Sequence, residues 1–514
     1  MRKFHALYRN EMIKISHKII VIIILAIMVG GIIAIGGLIK IQQVYRQDVS
    51  QIPDYTKENM KSQLEFYKTQ LADIEQRIEN AGSDEEKAML ENEKIKIAQQ
   101  IEMYQMAIDY DVNIDGGGYK AILINGIYSL NSQISEIEKI PVEERSEEQK
   151  LIFSSLKQKL TDYTSILETG DFARFISMKN QEIDQTETLT ADEKKLEKET
   201  NLLWLKIDPE GKAGTESSAN FLMAALDQIE TLKRSLLYNI DFSSQTSYIT
   251  PLTPSGRLKV ENDIAVLLYK AENDLIQKDF DSATQVADST ITGMFGFGIF
   301  MIVCLMLITA GGAVSQEIST GSIKSLIISP VKRYKIFFAK VLSLLTVGIV
   351  SALLLYVTAV VVNGIFFGFS NGSSYIFAIN GTARELNFFV FRFAFLAVNF
   401  IDVIVYMVFA YMLSIVTRNT AVSVGLSIAI YFGGNLVNTF VSLVAKGEWL
   451  KFIPFNNLSL ASRIFPDSLD NIGSIFNGTI LVMPSITFSL IYIAVMVFCF
   501  GYIALDSFDR RDIK

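Results

Sequence analysis

The sequence predicts an all-α membrane protein with six transmembrane helices and a mostly helical extracellular domain that contains coiled-coil-like hairpins. Half of its 514 residues are hydrophobic, and the mean hydropathy is +0.30. Six long apolar segments meet or approach the ~20 residues that a helix needs to cross ~30 Å of hydrocarbon. Between the first two segments, apolar residues recur at helical spacing, and no alternating strand pattern of weight is present.

The apolar segments divide the chain into a membrane part and one long insertion. They cover residues 19–39, 290–313, 341–368, 386–416, 420–445 and 480–505. The first contains no charged residue, whereas the fourth contains Arg392 and Asp402. We therefore expect an N-terminal helix at 1–18, a first transmembrane helix at 19–40, an extracellular domain at 41–289, and transmembrane helices two to six within 290–514.

Charge separates the insertion from the rest of the chain. Residues 41–290 carry 45 Asp and Glu against 27 Lys and Arg, a net charge of −18, while the whole chain carries −8. An acidic block of this kind is a poor nucleic-acid binder. The block has no cysteine, because Cys304 and Cys499 both lie in apolar segments, so disulfides do not hold it together.

The distribution of Lys and Arg predicts the topology. Basic residues predominate before the first span, in the loop after the second and at Arg418 after the fourth, and the C-terminal tail carries three basic residues diluted by three aspartates. Short cytoplasmic loops are enriched in Lys and Arg, and six spans put all four regions on one side. Both termini are thus expected on the cytoplasmic side of the plasma membrane. A cleaved signal peptide is the competing reading of residues 1–40, but the apolar core is long and no small-residue cleavage site follows it.

Heptad seams predict helical hairpins in the insertion. One hairpin covers about 55–110 with its tip near 81–83, and a second follows the triple glycine at 116–118. The seam positions are Met60, Leu64, Tyr67, Leu71, Ile74 and Ile78, then Ile97, Ile101, Tyr104 and Ile108, and in the second hairpin Ile127, Leu130, Ile134 and Ile137, then Leu156, Leu160, Tyr163 and Leu167. These seams either pack one domain together, which we favour, or form a stalk that touches a substrate or an envelope partner.

Helix starts in the insertion carry capping signals. Ser83, Ser146 and Thr190 each precede a Glu or Gln by three residues, the pattern of a capping box. Further apolar stripes predict a helix ending near Trp204, another at 222–236, and one at 264–275 that leads to the second span.

Motifs for catalysis and direct nucleotide binding are absent from the sequence. It contains no Gly-x-x-x-x-Gly-Lys-Ser/Thr loop, no Gly-x-Ser-x-Gly elbow and no His-Glu-x-x-His helix. Both histidines, His5 and His17, lie in the N-terminal segment, so we expect no metal site, no directly bound cofactor and no enzymatic activity. Any energy for transport then comes from a separate protein.

The loop after the second span carries the most specific motif. Its sequence, SQEISTGSIKSLIISPVKR over 315–333 and then Lys340, resembles the cytoplasmic signature of ABC-2 type permeases, the membrane subunits of one class of ABC exporter. Matching residues are Glu317, Gly321, Ser322, Ile323, Lys324, Pro330, Arg333 and Lys340. Glu11 and Lys14 resemble the family's Glu-x-x-Lys before its first span, and the C-terminal tail resembles its short basic ending. The resemblance covers 1–40 and 290–514, not the insertion.

This resemblance implies a coupling role for the loop at 314–340. In the family such a loop docks on a cytoplasmic ATPase, so ATP acts through a partner subunit, and two permease chains, identical or paralogous, form the pathway. The coupling residues would be Glu317, Gly321, Ser322, Ile323, Lys324, Pro330 and Arg333, with Glu11 and Lys14. The simpler interpretation is a basic loop that obeys the positive-inside rule, with Lys332, Arg333 and Lys335 at the anionic inner surface.

Two further features concern the membrane itself. Phe4, Leu7, Tyr8, Met12 and Ile15 share one face of the N-terminal helix, which predicts an amphipathic helix lying on membrane lipids. In the fourth span, Asp402 binds a polar substrate or ion, or hydrogen-bonds between helices, while Arg392 is expected to snorkel to the outer surface. The segment 449–465 is either a re-entrant piece, as in the family, or an interfacial one.

We therefore expect the permease subunit of an ATP-driven ABC exporter that moves a peptide, lipid, drug or ion outward from a bacterial cell. The alternative is a membrane-anchored receptor, sensor or envelope scaffold whose extracellular domain is the working part and binds an envelope or peptide partner.

Overall fold

A computed structural model describes residues 2–49, 55–115, 117–212, 221–242, 251–273, 275–276, 282–322, 331–369, 374–444, 448–465 and 484–510. They form two compact units, one of 1–46, 282–375 and 386–514, the other of 47–281 and 376–385. We call these the membrane unit and the outer unit, the second after the extracellular location that the sequence predicts for it.

The membrane unit consists of long apolar helices. Its helices are α1 (Arg2–Ser16), α2 (Ile19–Val49), α11 (Ser282–Gly312), α12 (Ser315–Ser319), α13 (Arg333–Phe367), α14 (Phe388–Thr417), α15 (Thr420–Val444), α16 (Leu460–Ile464) and α17 (Ile486–Arg510). Two short 3₁₀ turns, Glu448–Phe452 and Pro454–Asn457, precede α16.

Six helices in the described part of the chain are long and apolar enough to span a membrane. They cover Ile19–Val44, Val286–Ser319, Arg333–Phe367, Phe388–Thr417, Thr420–Val441 and Ile486–Arg510. A helix pairs its own backbone N–H and C=O groups, for which hydrocarbon offers no hydrogen-bond partner. The prediction of an all-α membrane protein with six spans is confirmed, and each span lies where the hydropathy placed it.

Helix α11 is the centre of the membrane unit. Its side chains Phe295, Met306 and Leu307 are fully buried, and it packs against α13 and α14. Helices α11 and α13 approach closely at Gly298, where a Cβ would lie 2.1 Å from the side chain of Leu355 of α13. Small residues at such positions let membrane helices pack by van der Waals contact. Many isoleucines of α2 remain exposed, as expected for a surface that faces lipid.

The outer unit contains eight helices among its described residues. They are α3 (Tyr55–Glu79), α4 (Asp84–Asp109), α5 (Tyr119–Glu138), α6 (Glu147–Thr169), α7 (Phe172–Gln185), α8 (Ala191–Ile207), α9 (Phe221–Tyr238) and α10 (Pro254–Glu272). Helices α3 and α4 form the first predicted hairpin, with Tyr67 stacked on Tyr104 at 5.6 Å between ring centroids. Helices α5 and α6 form the second.

An aromatic core holds the outer unit together. Tyr119, Phe172, Phe175 and Trp204 are buried, and the ring centroids of Phe172 and Trp204 lie 5.0 Å apart. Two of these rings belong to α7, a helix that the sequence interpretation missed. Gly170, with φ +70°, caps the end of α6, and α7 begins two residues later. The connection is therefore too short to show in the sequence that a new helix begins.

The capping predictions are confirmed at two of three helices. Full capping boxes are present at Ser146 of α6 and Thr190 of α8. At α4, Ser83 accepts a hydrogen bond from the Glu86 N–H, but the Glu86 carboxylate accepts its own from Gly82 rather than from Ser83. That third box is therefore only half formed.

One β-hairpin departs from the helical pattern. Strands β1 (Tyr375–Ile379) and β2 (Thr382–Leu386) pair through the two-residue turn Asn380-Gly381. Both turn residues have positive φ, +50° and +74°, as the type I′ turn requires. The sequence interpretation missed this hairpin, although Asn-Gly is its strongest short-range signal.

Candidate functional site

Three helices of the membrane unit converge at one polar cluster. Helix α1 contributes Glu11 and Lys14, the turn α12 that follows α11 contributes Glu317, and α13 contributes Lys340. These positions are 11, 317 and 340 in the sequence, so the fold alone brings them together. Glu11, Lys14 and Glu317 are three of the residues that the sequence motif singled out. We call the four side chains the charge cluster.

Lys340 lies at the centre of the charge cluster. Its ammonium group donates to a Glu11 carboxylate oxygen at 2.8 Å and to Glu317 Oε1 at 2.8 Å, and it lies 3.4 Å from the Ala313 carbonyl oxygen. The Lys340 side chain is only 2% exposed. A buried ammonium is tolerated only when its charge and its hydrogen-bonding capacity are satisfied, and here two carboxylates and a carbonyl do both.

Lys14 closes the cluster on its exposed side. Its Nζ donates to Glu11 Oε1 and to Glu317 Oε1, each at 3.1 Å. Burial lowers the pKa of Lys14, but the two carboxylates outweigh it, so the pKa lies above its ordinary value. Two acids and two bases therefore balance, and the ammonium groups of Lys14 and Lys340 hold both carboxylates in place.

A cavity of about 320 Å³ opens beside the cluster. The cluster residues line it together with Lys18, Gln316, Thr320, Ser322 and Ser343. Lys18 donates to Gln316 Oε1 at 2.9 Å, and burial and the nearby Lys340 lower its pKa. One oxygen of Glu317, Oε2, is buried without a hydrogen-bond partner in the described structure, so the cluster retains an unused acceptor.

Serine hydroxyls fix the base of the loop. The backbone N–H groups of Val314 and Ser315 donate to Ser414 Oγ of α14 at 3.1 and 2.9 Å. Ser423 of α15 donates to the Gly311 carbonyl oxygen at 2.6 Å. These bonds pair the Gly311 carbonyl at the end of α11 and two N–H groups at the start of α12, groups that helix ends otherwise leave unpaired, and they tie this point to two other spans.

The rest of the predicted coupling loop is partly described. Gly321 follows α12 with φ +71°, and a Cβ there would meet nothing within 4 Å. Glycine is thus needed for backbone conformation and not for close packing. Ser322 lies on the cavity wall, and Arg333 donates to the Asp509 carbonyl oxygen of α17 at 2.9 Å. Ile323, Lys324 and Pro330 lie outside the described residues.

Lys340 is the site residue whose role sequence reasoning underestimated. It matched the motif but was not counted among the coupling residues. The available signal was its position, one residue before the third apolar segment, where a charge facing lipid would be costly. A lysine at such a position requires an acidic partner, and only the fold shows that the partners are Glu11 and Glu317.

Asp402 lies in a second polar region. Its Oδ2 accepts a hydrogen bond from the Ser459 N–H at 2.8 Å, and its Oδ1 is buried without a partner. Ser459 has φ +59°, an uncommon conformation for a residue with a side chain. Asp402 therefore fixes the segment that enters α16, and it keeps one free acceptor.

The segment 449–465 is a short, interrupted helical piece held by polar side chains. Arg463 donates to the carbonyl oxygens of Asn457, Leu458 and Pro484 and to Ser489 Oγ, at 2.9 to 3.2 Å. Asn438 of α15 donates to Asn456 Oδ1 at 2.7 Å. These bonds join the segment to α15 and α17. They fit both the re-entrant and the interfacial reading.

The expectation that Arg392 snorkels to the surface is wrong. The residue is 4% exposed. Its guanidinium donates to Thr292 Oγ1 at 2.9 Å and lies 3.3 Å from Asp288 Oδ1, both on α11. The sequence interpretation considered only a partner on the same helix, whereas the acid lies on a neighbouring one. The pair links α11 to α14.

The N-terminal helix packs partly on protein. Ile15 and Glu11 are buried, and the Tyr8 hydroxyl donates to Thr346 Oγ1 of α13 at 3.0 Å. Exposed Ile13 lies elsewhere on the helix. The apolar face that predicted contact with lipid therefore also makes contact with α13.

Comparison with known proteins finds one family match to the second half of the chain and relatives in a bacterium. Residues 264–514 match a family described as "Protein of unknown function (DUF2705)". The chain is 28% identical over 211 residues to the uncharacterized protein YhcI of Bacillus subtilis (strain 168), covering 40% of this chain and 63% of YhcI. This chain is a membrane protein.

A second relative is described as a membrane protein, in agreement with the six long apolar helices of this chain. The uncharacterized membrane protein YdbK of Bacillus subtilis (strain 168) is 27% identical over 157 residues, which are 30% of this chain and 59% of YdbK. The chain thus matches less than two thirds of either relative. No solved structure matches the chain.

Proposed function

We propose that this protein is the membrane-spanning permease subunit of an ATP-driven exporter of the ABC-2 type, energised by separate cytoplasmic ATPase subunits. The observation that carries the proposal is the charge cluster. It joins Glu11 and Lys14 of the N-terminal helix to Glu317 of the loop after the second span, and these are the residues through which the motif resembles ABC-2 permeases.

The cluster gives the loop a mechanical connection to the spans. Lys340 bonds to α1 and α12 at once, and the serine bonds tie the end of α11 to α14 and α15. Because these contacts connect the loop to several helices, a displacement of the loop by an ATPase would move α1, α11 and α13 together.

The proposal includes a topology and an assembly. Both termini and the charge cluster lie on the cytoplasmic side of a bacterial plasma membrane, and the outer unit lies outside the cell. Two chains, identical or paralogous, form the pathway. The substrate class stays open among peptides, lipids, drugs and ions.

Co-purification from native membranes tests the proposal. The tagged full-length protein, extracted in a mild detergent, should bring down a protein that contains a nucleotide-binding phosphate loop, in a ratio near one per permease. An unrelated tagged six-span protein from the same membranes serves as control. Recovery of no such ATPase, from membranes in which the gene is naturally expressed, would contradict the proposal.

The outer unit supports a second candidate function. It has its own buried aromatic core and is larger than a loop between two spans requires. A receptor or envelope scaffold would use this unit as its working part and the spans as an anchor. Its mark would be a phenotype that depends on the outer unit and not on the charge cluster.

A further inference from the structure

An apolar groove of about 300 Å³ lies between α13, α14 and α17. Its walls are almost entirely hydrocarbon, with Phe337, Phe338 and Val341 from α13, Met407 and Tyr411 from α14, and Phe498, Gly501 and Tyr502 from α17 among its lining residues. Phe498 and Tyr502 stack at 6.3 Å between ring centroids. They are 71% and 57% exposed in the chain alone, so the groove is open on one side.

The groove lies at one end of the helix bundle. Its residues come from the first third of α13, the last third of α14 and the second half of α17. All three helices are long and apolar enough to span a membrane, so a lipid acyl chain could reach the open side of the groove. Gly501 leaves room in its wall, because a Cβ there would meet nothing within 4 Å.

Two lysines come just before the groove-lining residues of α13 in the sequence. Lys335 precedes Phe338 by three residues and so lies above it on the same face of α13, while Lys332 is the residue before that helix. Neither lysine has an ion-pair partner among the described residues, whereas Arg333 beside them donates to the Asp509 carbonyl oxygen. A long lysine side chain can rest its stem on apolar surface and extend its charge to a headgroup.

From this arrangement we propose that the groove binds one anionic membrane phospholipid. An acyl chain lies along Phe338, Phe498 and Tyr502, and the phosphate lies between Lys332 and Lys335. The concave, aromatic wall fits a flexible hydrocarbon chain, and the two cations at its end complement a negative headgroup. Anionic lipids are concentrated in the cytoplasmic leaflet. The site does not depend on an ATPase partner, so it can be tested separately from the proposed function.

Native mass spectrometry of the delipidated full-length protein tests the site. Phosphatidylglycerol and phosphatidylcholine with the same acyl chains are added at equal concentration, and retained adducts are counted. We expect one tightly held phosphatidylglycerol per chain. Equal retention of the two lipids, or no retained adduct, would overturn the proposal.

Substitutions at two glycines distinguish binding in the groove from general contact with lipid. Gly501→Leu puts a side chain into the groove at a position whose Cβ has room, so the retained adduct should fall at least tenfold. Gly425→Leu is the matched control, because Gly425 of α15 also has nothing within 4 Å and does not line the groove, and it should retain the adduct. Equal loss in both variants, or loss in neither, would contradict the assignment.

Charge variants test the headgroup. Lys332→Gln and Lys335→Gln should each lower the preference for phosphatidylglycerol over phosphatidylcholine by about fivefold, since one lysine near an anionic surface contributes about that factor. An unchanged preference would overturn the headgroup assignment. A lipid-free dimer that Gly501→Leu dissociates would show that a second chain occupies the groove instead.

Discussion

Lys340 shows how a single residue can define the site. It is a buried cation in an apolar helix, and it is stable there because two carboxylates accept its hydrogen bonds at 2.8 Å. Lys14 neutralises the remaining charge from the exposed side. Each of the four side chains depends on the other three, so a substitution at the centre should matter more than one at the rim.

Replacing Lys340 with Met should destabilise the membrane unit by about 3 kcal/mol, because two buried carboxylates lose their shared partner. Lys14→Met should cost less, since the Lys14 side chain is 48% exposed and water can replace it. Thermal unfolding in detergent, followed by the loss of monodisperse protein, measures both. Equal shifts in the two variants would contradict the central position of Lys340.

Asp402 should act as a hydrogen-bond acceptor for Ser459. Asp402→Asn keeps an oxygen that can accept from the Ser459 N–H and should unfold close to the wild-type temperature. Asp402→Leu removes that acceptor, at a cost of about 1–3 kcal/mol. The same thermal assay compares them. If Asn and Leu behave alike, the bond to Ser459 contributes little, and if both abolish export without a thermal shift, Asp402 belongs to the transport pathway.

At the scale of elements, short sequence patterns predicted the helices and caps that depend on residues close together in the chain. The heptad seams predicted α3 to α6, and the boxes at Ser146 and Thr190 marked true helix starts. At Ser83 the spacing correctly predicted the helix start, but the Glu86 carboxylate accepts its hydrogen bond from the Gly82 N–H. Sequence spacing does not resolve this one-residue difference. Helix α7 was missed because its start follows the Gly170 turn directly.

Ser146→Ala should weaken the start of α6, because the Gln149 N–H loses its acceptor. The loss of an N-cap costs about 0.5–2 kcal/mol. Hydrogen exchange of the full-length protein should show faster exchange confined to the first turn of α6. Ser154→Ala, in the same helix but not at its cap, is the control, and equal acceleration in both variants would contradict the capping role.

Gly321→Ala should strain the turn after α12, because φ +71° disfavours any residue with a Cβ. The space around Gly321 is open, so the effect comes from the backbone alone, about 1 kcal/mol. Hydrogen exchange of residues 315–322 measures it. Gly425→Ala, in a regular helix with equally open surroundings, is the control and should not accelerate exchange.

At the scale of the whole molecule, hydropathy and charge were enough to predict the two kinds of structure. Six apolar runs became six long helices, because a helix is the structure that pairs every backbone group in hydrocarbon. The acidic block became a unit with its own core. The contacts that build the site were not predictable, since the packing of helices brings Glu11 to Glu317 and Lys340 across more than 300 residues.

The two units should be separable in function. If the exporter proposal is right, replacing residues 55–272 with a short flexible linker should leave ATPase association intact while changing what the protein acts on. The same purification used for the full-length chain measures the association. Loss of ATPase recovery with retained expression and monodispersity would contradict a coupling site that lies wholly in the membrane unit.

The most direct measurement of the central claim is the amount of ATPase that co-purifies with charge-cluster variants. Glu317→Gln removes a carboxylate that holds both lysines, whereas Asp506→Asn changes an acid of α17 that pairs only with exposed Arg510 among the described residues. With the amount of the protein and its thermal stability measured in parallel, we predict at least a tenfold loss of bound ATPase for Glu317→Gln and none for Asp506→Asn. Wild-type recovery in Glu317→Gln, or no ATPase with any form of the protein, would contradict the claim.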